Sequence, residues 1–229
     1  QSINPDLILA PMMGAVPLID CLNCVNGAFD NHKVYYVPAS SSLQSVHNIV
    51  PGTLEHILEE IVPDLHDDYR LLSVDEVVSG SSALRLRSMI TEGIKRFSAR
   101  QKLTPEEQER IHYLQIGLEH GAFTDAGKQH NNGYPQLIEK GLLTPVRVNK
   151  IITMDDPRFT VARYIPKEKH KARNTPLIEQ EFRVTPDYVH LLARIASYAG
   201  TDPDRISLAT FHRILEHQKY IPERYQHIR

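Results

Sequence analysis

An α/β fold built on a mainly parallel sheet flanked by helices is predicted from three observations. Residues 6–10 (DLILA), 33–38 (KVYYVP) and 71–74 (LLSV) are apolar or β-branched runs of strand length. A helical pattern follows each run, at residues 17–24, 54–61 and 83–97. Strands that alternate with helices in this way build βαβ units and a parallel sheet. The 229 residues suffice for one large domain, or for a core with an accessory segment.

The first strand runs into the loop Pro11-Met12-Met13-Gly14-Ala15-Val16, and the helix begins at Pro17. Within that helix Cys21 and Cys24 form a C-x-x-C with no second pair to complete a zinc site, so a packed helix is favoured over a redox pair. The second strand stops at Pro38. The Ser-rich stretch after it carries few structural signals as far as Gly52, and reads either as a loop covering a site or as a solvated connection. Leu54, Ile57, Leu58 and Ile61 then mark a short helix before Pro63.

Residues 70–90 change character twice. The apolar strand Leu71-Leu72-Ser73-Val74 ends in Asp75 and Glu76, and Val77-Val78 leads to the turn Ser79-Gly80-Ser81-Ser82. Small side chains, a glycine free to take positive φ and three hydroxyls stand directly before a helix. The backbone N–H groups of such a turn, and of the helix behind it, suit a phosphate. Ala83, Leu86, Ile90, Ile94 and Phe97 give the helix one apolar face for the sheet. The plainer reading is an ordinary strand-to-helix connection, in which Ser and Gly are common.

The segment from Val74 to Ser82 resembles the phosphoribosyl-pyrophosphate signature of type I phosphoribosyltransferases: an apolar strand, two adjacent acids, a few mostly apolar residues, then a Thr- or Ser-rich turn around Gly. The resemblance implies that Asp75 and Glu76 sit by the ribose hydroxyls as the catalytic acids, and that Ser79, Gly80, Ser81 and Ser82 hold the 5-phosphate. Pro11 to Pro17 is similar to the family's pyrophosphate loop, which makes Met12, Met13 and Gly14 ligand-binding positions. Met12 stands where the family usually has a basic residue, and Met13 where it has Gly. The implied cofactor is Mg2+, held through phosphate oxygens and water beside Asp75 and Glu76 with no direct protein ligand. The resemblance covers residues 5–98.

Beyond Phe97 the pattern is mainly helical. Thr104-Pro105-Glu106-Glu107 is a helix start, with Ile111, Leu114 and Leu118 as its apolar face and Gly121 as its stop. Residues 124–134 read as a loop and residues 137–143 as a short helix. Residues 146–153 and 159–165 are strand-like, and the turn chemistry of 154–158 makes them a β-hairpin. The basic stretch 167–173 is favoured as an exposed linker over a polyanion site. Thr185-Pro186-Asp187 caps a helix that ends at Gly200, and residues 207–219 form a last helix. The organisation expected is therefore a phosphoribosyltransferase-like α/β core with hairpin over residues 1–165 and a helical C-terminal element over 166–229. Read as a helix-turn-helix, the last two helices would enter a major groove, but nothing in the overall charge supports that.

Composition narrows the function classes. Apolar content of 41%, charge content of 24% and a formal charge of -2 describe an ordinary globular chain with no general nucleic-acid or membrane surface. The apolar stretch 7–22 is broken by Pro11, Gly14, Pro17 and Asp20, so it is no membrane span, and it has no basic leader of a signal peptide. A cytoplasmic protein is expected. Gln1 in place of Met points to a chain that begins inside a longer product. The twelve histidines show no ligand spacing for a metal.

The function expected is transfer of ribose 5-phosphate from phosphoribosyl pyrophosphate to a nitrogen heterocycle, with release of pyrophosphate. The competing expectation is a non-catalytic domain of the same fold that binds a phosphoribosyl group or nucleotide within a larger regulatory protein. A homodimer fits either. A nucleic-acid module would explain residues 167–173 and leave Asp75 to Ser82 without a purpose.

Overall fold

The computed structural model describes residues 4–11, 14–25, 33–39, 46–62, 67–77, 80–121, 133–149, 162–166, 178–182, 185–202 and 212–223. Strands β1 (Leu7–Pro11), β2 (Val34–Val37), β3 (Tyr69–Val77), β4 (Ile111–His120) and β5 (Leu143–Val148) form one sheet in the order β2-β1-β3-β4-β5. Every neighbouring pair in it is parallel. Helix α1 (Ala15–Val25) joins β1 to β2, α2 (Val46–Ile61) precedes β3, and α3 (Ser81–Gln101) follows it. The short helices α4 (Pro105–Glu109) and α5 (Gly133–Glu139) stand before β4 and β5, and α6 (Pro186–Ala199) belongs to the C-terminal part.

The composition of β1 follows from its place. Flanked by β2 and β3 and covered on both faces, all five of its residues are buried, which is why it reads as a continuous apolar run. Helix α1 packs on α6, tied by the Tyr188 hydroxyl on the buried Asp20 carboxylate and by Thr201 Oγ1 donating to the Cys24 carbonyl at 2.8 Å. Cys24 is fully buried in this contact, as a packed helix requires. Burial, then the charge of Asp20, pushes the Cys21 thiol up to about 12, so it is unreactive at neutral pH. Helices α2 and α3 pack against each other, placing Leu54, Ile57, Ile90 and Phe97 in the core.

Three expectations need correction. The helix begun at Thr104 stops at Glu109, and residues 111–120 are strand β4. Thr104 does cap with a reciprocal box: its hydroxyl accepts from Glu107 N, and Glu107 accepts from Thr104 N at 2.7 Å. The spacing of Ile111, Leu114 and Leu118 mimicked a helix, but burial alternates strictly through Ile111, Tyr113, Gln115, Gly117 and Glu119, the period of a strand. The second correction concerns the hairpin. Residues 143–148 pair in parallel with β4, while β6 (Ala162–Pro166) pairs antiparallel with β7 (Ile178–Phe182). The expected turn 154–158 and the basic stretch 167–173 lie outside the described residues. Third, α2 begins at Val46, eight residues before Leu54, with Pro51 inside it. Burial of Ile49 and Val50 offsets the hydrogen bond lost at the proline. A covering loop therefore does not extend to Gly52, and residues 40–45 lie outside the described residues.

The C-terminal part continues the core. Tyr188, Leu192, Ala196, Ile214 and Tyr220 are buried with the sheet and helices in one cluster. Residues 212–217 are helical, and the 3-10 turn Gln218–Tyr220 packs on α2. The last helix was expected from residue 207; residues 203–211 lie outside the described set.

Candidate functional site

The strand order marks the carboxyl ends of β1 and β3 as the place where a binding crevice is expected. The chain leaves β1 towards β2 and leaves β3 towards β4, on opposite sides, so the loops beyond the carboxyl ends of β1 and β3 part from each other. In open parallel sheets ligands bind at this switch of direction. Gly14 follows the end of β1, and Asp75 and Glu76 stand among the last residues of β3.

Gly14 lies against the end of β3. A Cβ added to Gly14 would lie 3.0 Å from Asp75 Oδ1 and 4.0 Å from Glu76 Cβ, so any larger residue would crowd the carboxylate. Asp75 Oδ1 accepts the Glu76 N–H at 2.9 Å. Part of Asp75 is exposed, but its carboxyl lies among protein atoms, and that burial pushes its pKa up to about 7. The Glu76 amide opposes the rise and the Glu76 charge adds to it.

Successive strand residues face opposite sides, so the acids divide between the two faces of the sheet. Ser73 and Asp75 share a face with Tyr113 and Gln115 of β4, where Ser73 Oγ and the Tyr113 hydroxyl hydrogen-bond at 2.9 Å. Glu76 looks towards α1, where its charge helps to raise the Cys21 thiol. A single ion cannot be gripped by both carboxylates from within the strand. They fit Mg2+ held by ligand oxygens and water, with one carboxylate beside it. Among the described residues there is no cluster of three or more His, Cys, Asp or Glu able to hold a metal by itself.

Gly80 takes φ 78° as the N-cap residue of α3, in the left-handed region that favours glycine, and its carbonyl accepts from Leu84 N at 3.1 Å. Ser81 and Ser82 are exposed on the first turn of α3. Asp75, Glu76, Gly14, Gly80, Ser81 and Ser82 thus all lie at the carboxyl ends of β1 and β3. Met12, Met13 and Ser79 lie outside the described residues. Two clefts open elsewhere: about 550 Å³ lined by His47, Arg87, Glu92 and Lys95, and about 340 Å³ lined by Tyr35, Glu60, Arg213 and Tyr220.

Sequence reasoning missed three buried polar residues beside this crevice. Gln115 Nε2 donates to the Ala83 carbonyl at 3.1 Å and ties the first turn of α3 to β4. Glu119 is 1% exposed at the carboxyl end of β4 and accepts from the Tyr134 hydroxyl at 2.8 Å. With 111–120 read as a helix, neither Gln115 nor Glu119 stood on a strand next to Asp75, and Tyr134 fell at the end of a loop. The one available signal was the apolar alternation of Leu114, Ile116 and Leu118, which has the period of a strand.

Compared with protein-family models, with curated proteins and with solved structures, the chain finds no match in any of the three. Among the described residues no helix is long and apolar enough to cross a membrane.

Proposed function

We propose that the chain binds phosphoribosyl pyrophosphate in the crevice between the β1 and β3 loops and transfers its ribose 5-phosphate to a nitrogen heterocycle. The observation that carries this reading is the approach of Gly14 to Asp75: these two residues, from the two stretches that resemble the two halves of one binding site, are neighbours at the switch of strand direction. The turn at Gly80 and the first N–H groups of α3 receive the 5-phosphate, with the helix dipole contributing roughly 0.3–1 kcal/mol. Asp75 and Glu76 stand beside the ribose hydroxyls.

In the reaction the nitrogen lone pair of the acceptor forms a bond to ribose carbon 1 as the bond from that carbon to pyrophosphate oxygen breaks. The electron pair leaves with pyrophosphate, and the proton of the acceptor nitrogen passes to solvent. The sugar gains oxocarbenium character, which a nearby carboxylate stabilises. Magnesium, when bound, neutralises the leaving pyrophosphate.

A second reading, binding without turnover, is favoured by one observation. The loop Pro11-Met12-Met13-Gly14-Ala15-Val16-Pro17 carries no basic residue to offset the charge of pyrophosphate. The test separates the two. Calorimetry with phosphoribosyl pyrophosphate and Mg2+ should show saturable binding that Asp75→Asn weakens, and pyrophosphate release over a panel of bases should accompany it. Binding without release selects the second reading, and no binding by well-folded protein rejects both.

A further inference from the structure

The turn at Gly80 is shaped from beneath by an aromatic ring on a different element. A Cβ added to Gly80 would lie 2.5 Å from Tyr134 Cγ and 2.6 Å from Tyr134 Cβ, so the glycine backbone rests directly on this side chain. Tyr134 is fully buried in α5 and clusters with Val77, Ala83, Leu137 and Leu143. Its hydroxyl lies over Gly117, where an added Cβ would come within 3.1 Å of it, and donates to the buried Glu119 carboxylate. Gly117 pairs with Asp75 in the sheet and Glu119 pairs with Val77. One side chain therefore spans from the strand end that carries Asp75 to the turn that opens α3. Two glycines, Gly80 and Gly117, leave the room it occupies.

We propose that Tyr134 is a positioning residue for phosphate binding: its ring, held by packing between Gly80 and Gly117, is the floor that sets the Gly80 turn, and the bond from its hydroxyl to Glu119 adds to that hold. The inference rests on the phosphoribosyl reading of the turn. Backbone N–H groups bind an anion only when their directions converge, and a displacement of about 1 Å at such a site can cost about 100-fold. A buried ring with a hydrogen-bonded hydroxyl has no other rotamer within reach, so it transmits the position of β4 to the turn. Gln115, bonded to the Ala83 carbonyl, ties the same turn of α3 to the same strand.

The experiment uses the full chain and two variants, Tyr134→Phe and Tyr134→Leu, with ribose 5-phosphate as the calorimetric probe and the backbone amide signal of Gly80 followed by NMR without ligand. Tyr134→Phe keeps the ring and should hold affinity to within about threefold. Tyr134→Leu removes the floor; it should shift the Gly80 amide and weaken ribose 5-phosphate by about tenfold or more. A folded Tyr134→Leu protein that binds as tightly as wild type overturns the inference and leaves the proposed function standing. If Tyr134→Leu does not fold, Tyr134→Phe decides: a Gly80 amide and an affinity that both stay, or that both move, support the ring as the floor, and either one moving without the other overturns it. Wild-type protein that fails to bind ribose 5-phosphate removes the functional reading itself, whatever the Gly80 amide does.

Discussion

At the scale of the residue, Asp75 carries a cost of folding that the proposed use in binding would account for. Its folded pKa of about 7 lies above the ordinary value of 3.8, so the buried carboxyl favours the protonated form. Below pH 3.8 both states are protonated and nothing is lost. As pH rises towards 7 the unfolded chain releases its proton while the folded chain retains it, and stability falls. Asn keeps the acceptor for the Glu76 N–H and carries no charge. Asp75→Asn should therefore melt at the same temperature as wild type near pH 4 and at a higher one at pH 8. Equal melting temperatures at both values would mean that the carboxyl ionises freely. A carboxylate that costs stability at neutral pH fits a residue kept for a ligand, since binding sites commonly hold groups that the fold alone would not choose.

At the scale of the element, the first half of the chain was legible and the second half less so, for identifiable reasons. Strands β1 and β3 announce themselves because central parallel strands are apolar on both faces, β2 because it is a β-branched and aromatic run, and the β3–α3 turn because Gly80 must take positive φ. Strand β4 hid because its buried face includes Gln115, Gly117 and Glu119, which no hydrophobic pattern registers. Its apolar residues Ile111, Leu114 and Leu118 happen to fall at helical spacing. The start of α2 hid behind Pro51 and Gly52, which read as a break until Ile49 and Val50 are seen buried. The adjacent acids stand out in the sequence, but their division between two faces depends on where the strand ends, and β3 runs on to Val77. The capping box of α4 lies on the surface, with Thr104 exposed and Glu107 half-buried, at the amino end of β4 and away from the site. Thr104→Ala should cost about 1 kcal/mol at most in denaturant unfolding. It should leave ligand affinity unchanged, which makes it a control for the site variants.

At the scale of the whole molecule, the sheet has an edge to protect, and the C-terminal part protects it. Strand β2 is the terminal strand, and its outward groups are taken by side chains: Arg213 donates to the Val34 carbonyl at 3.0 Å, and His217 Nδ1 accepts the Tyr36 N–H at 3.0 Å. The His217 ring stacks on Tyr35 with centroids 4.7 Å apart. These contacts replace the hydrogen bonds of a further strand and close a template for aggregation. They also require a neutral imidazole, because Nδ1 must accept. Burial, then the positive charges of Arg213 and Lys219, lower the His217 pKa from 6.5 to about 3, against the opposing charge of Glu60. The sign follows: above pH 6.5 the ring is neutral in both states and its contribution is complete. As pH falls from 6.5 towards 3 the unfolded chain takes up a proton that the folded chain refuses, and the contribution is lost. His217→Gln can still accept at the edge but cannot titrate. The stability advantage of wild type over His217→Gln, measured by denaturant unfolding, should therefore be largest at pH 7.5 and shrink steadily down to pH 5. An advantage that stays constant over that range would show that the His217 ring is not held neutral against β2, and the account of the edge would have to be rebuilt around Arg213 alone.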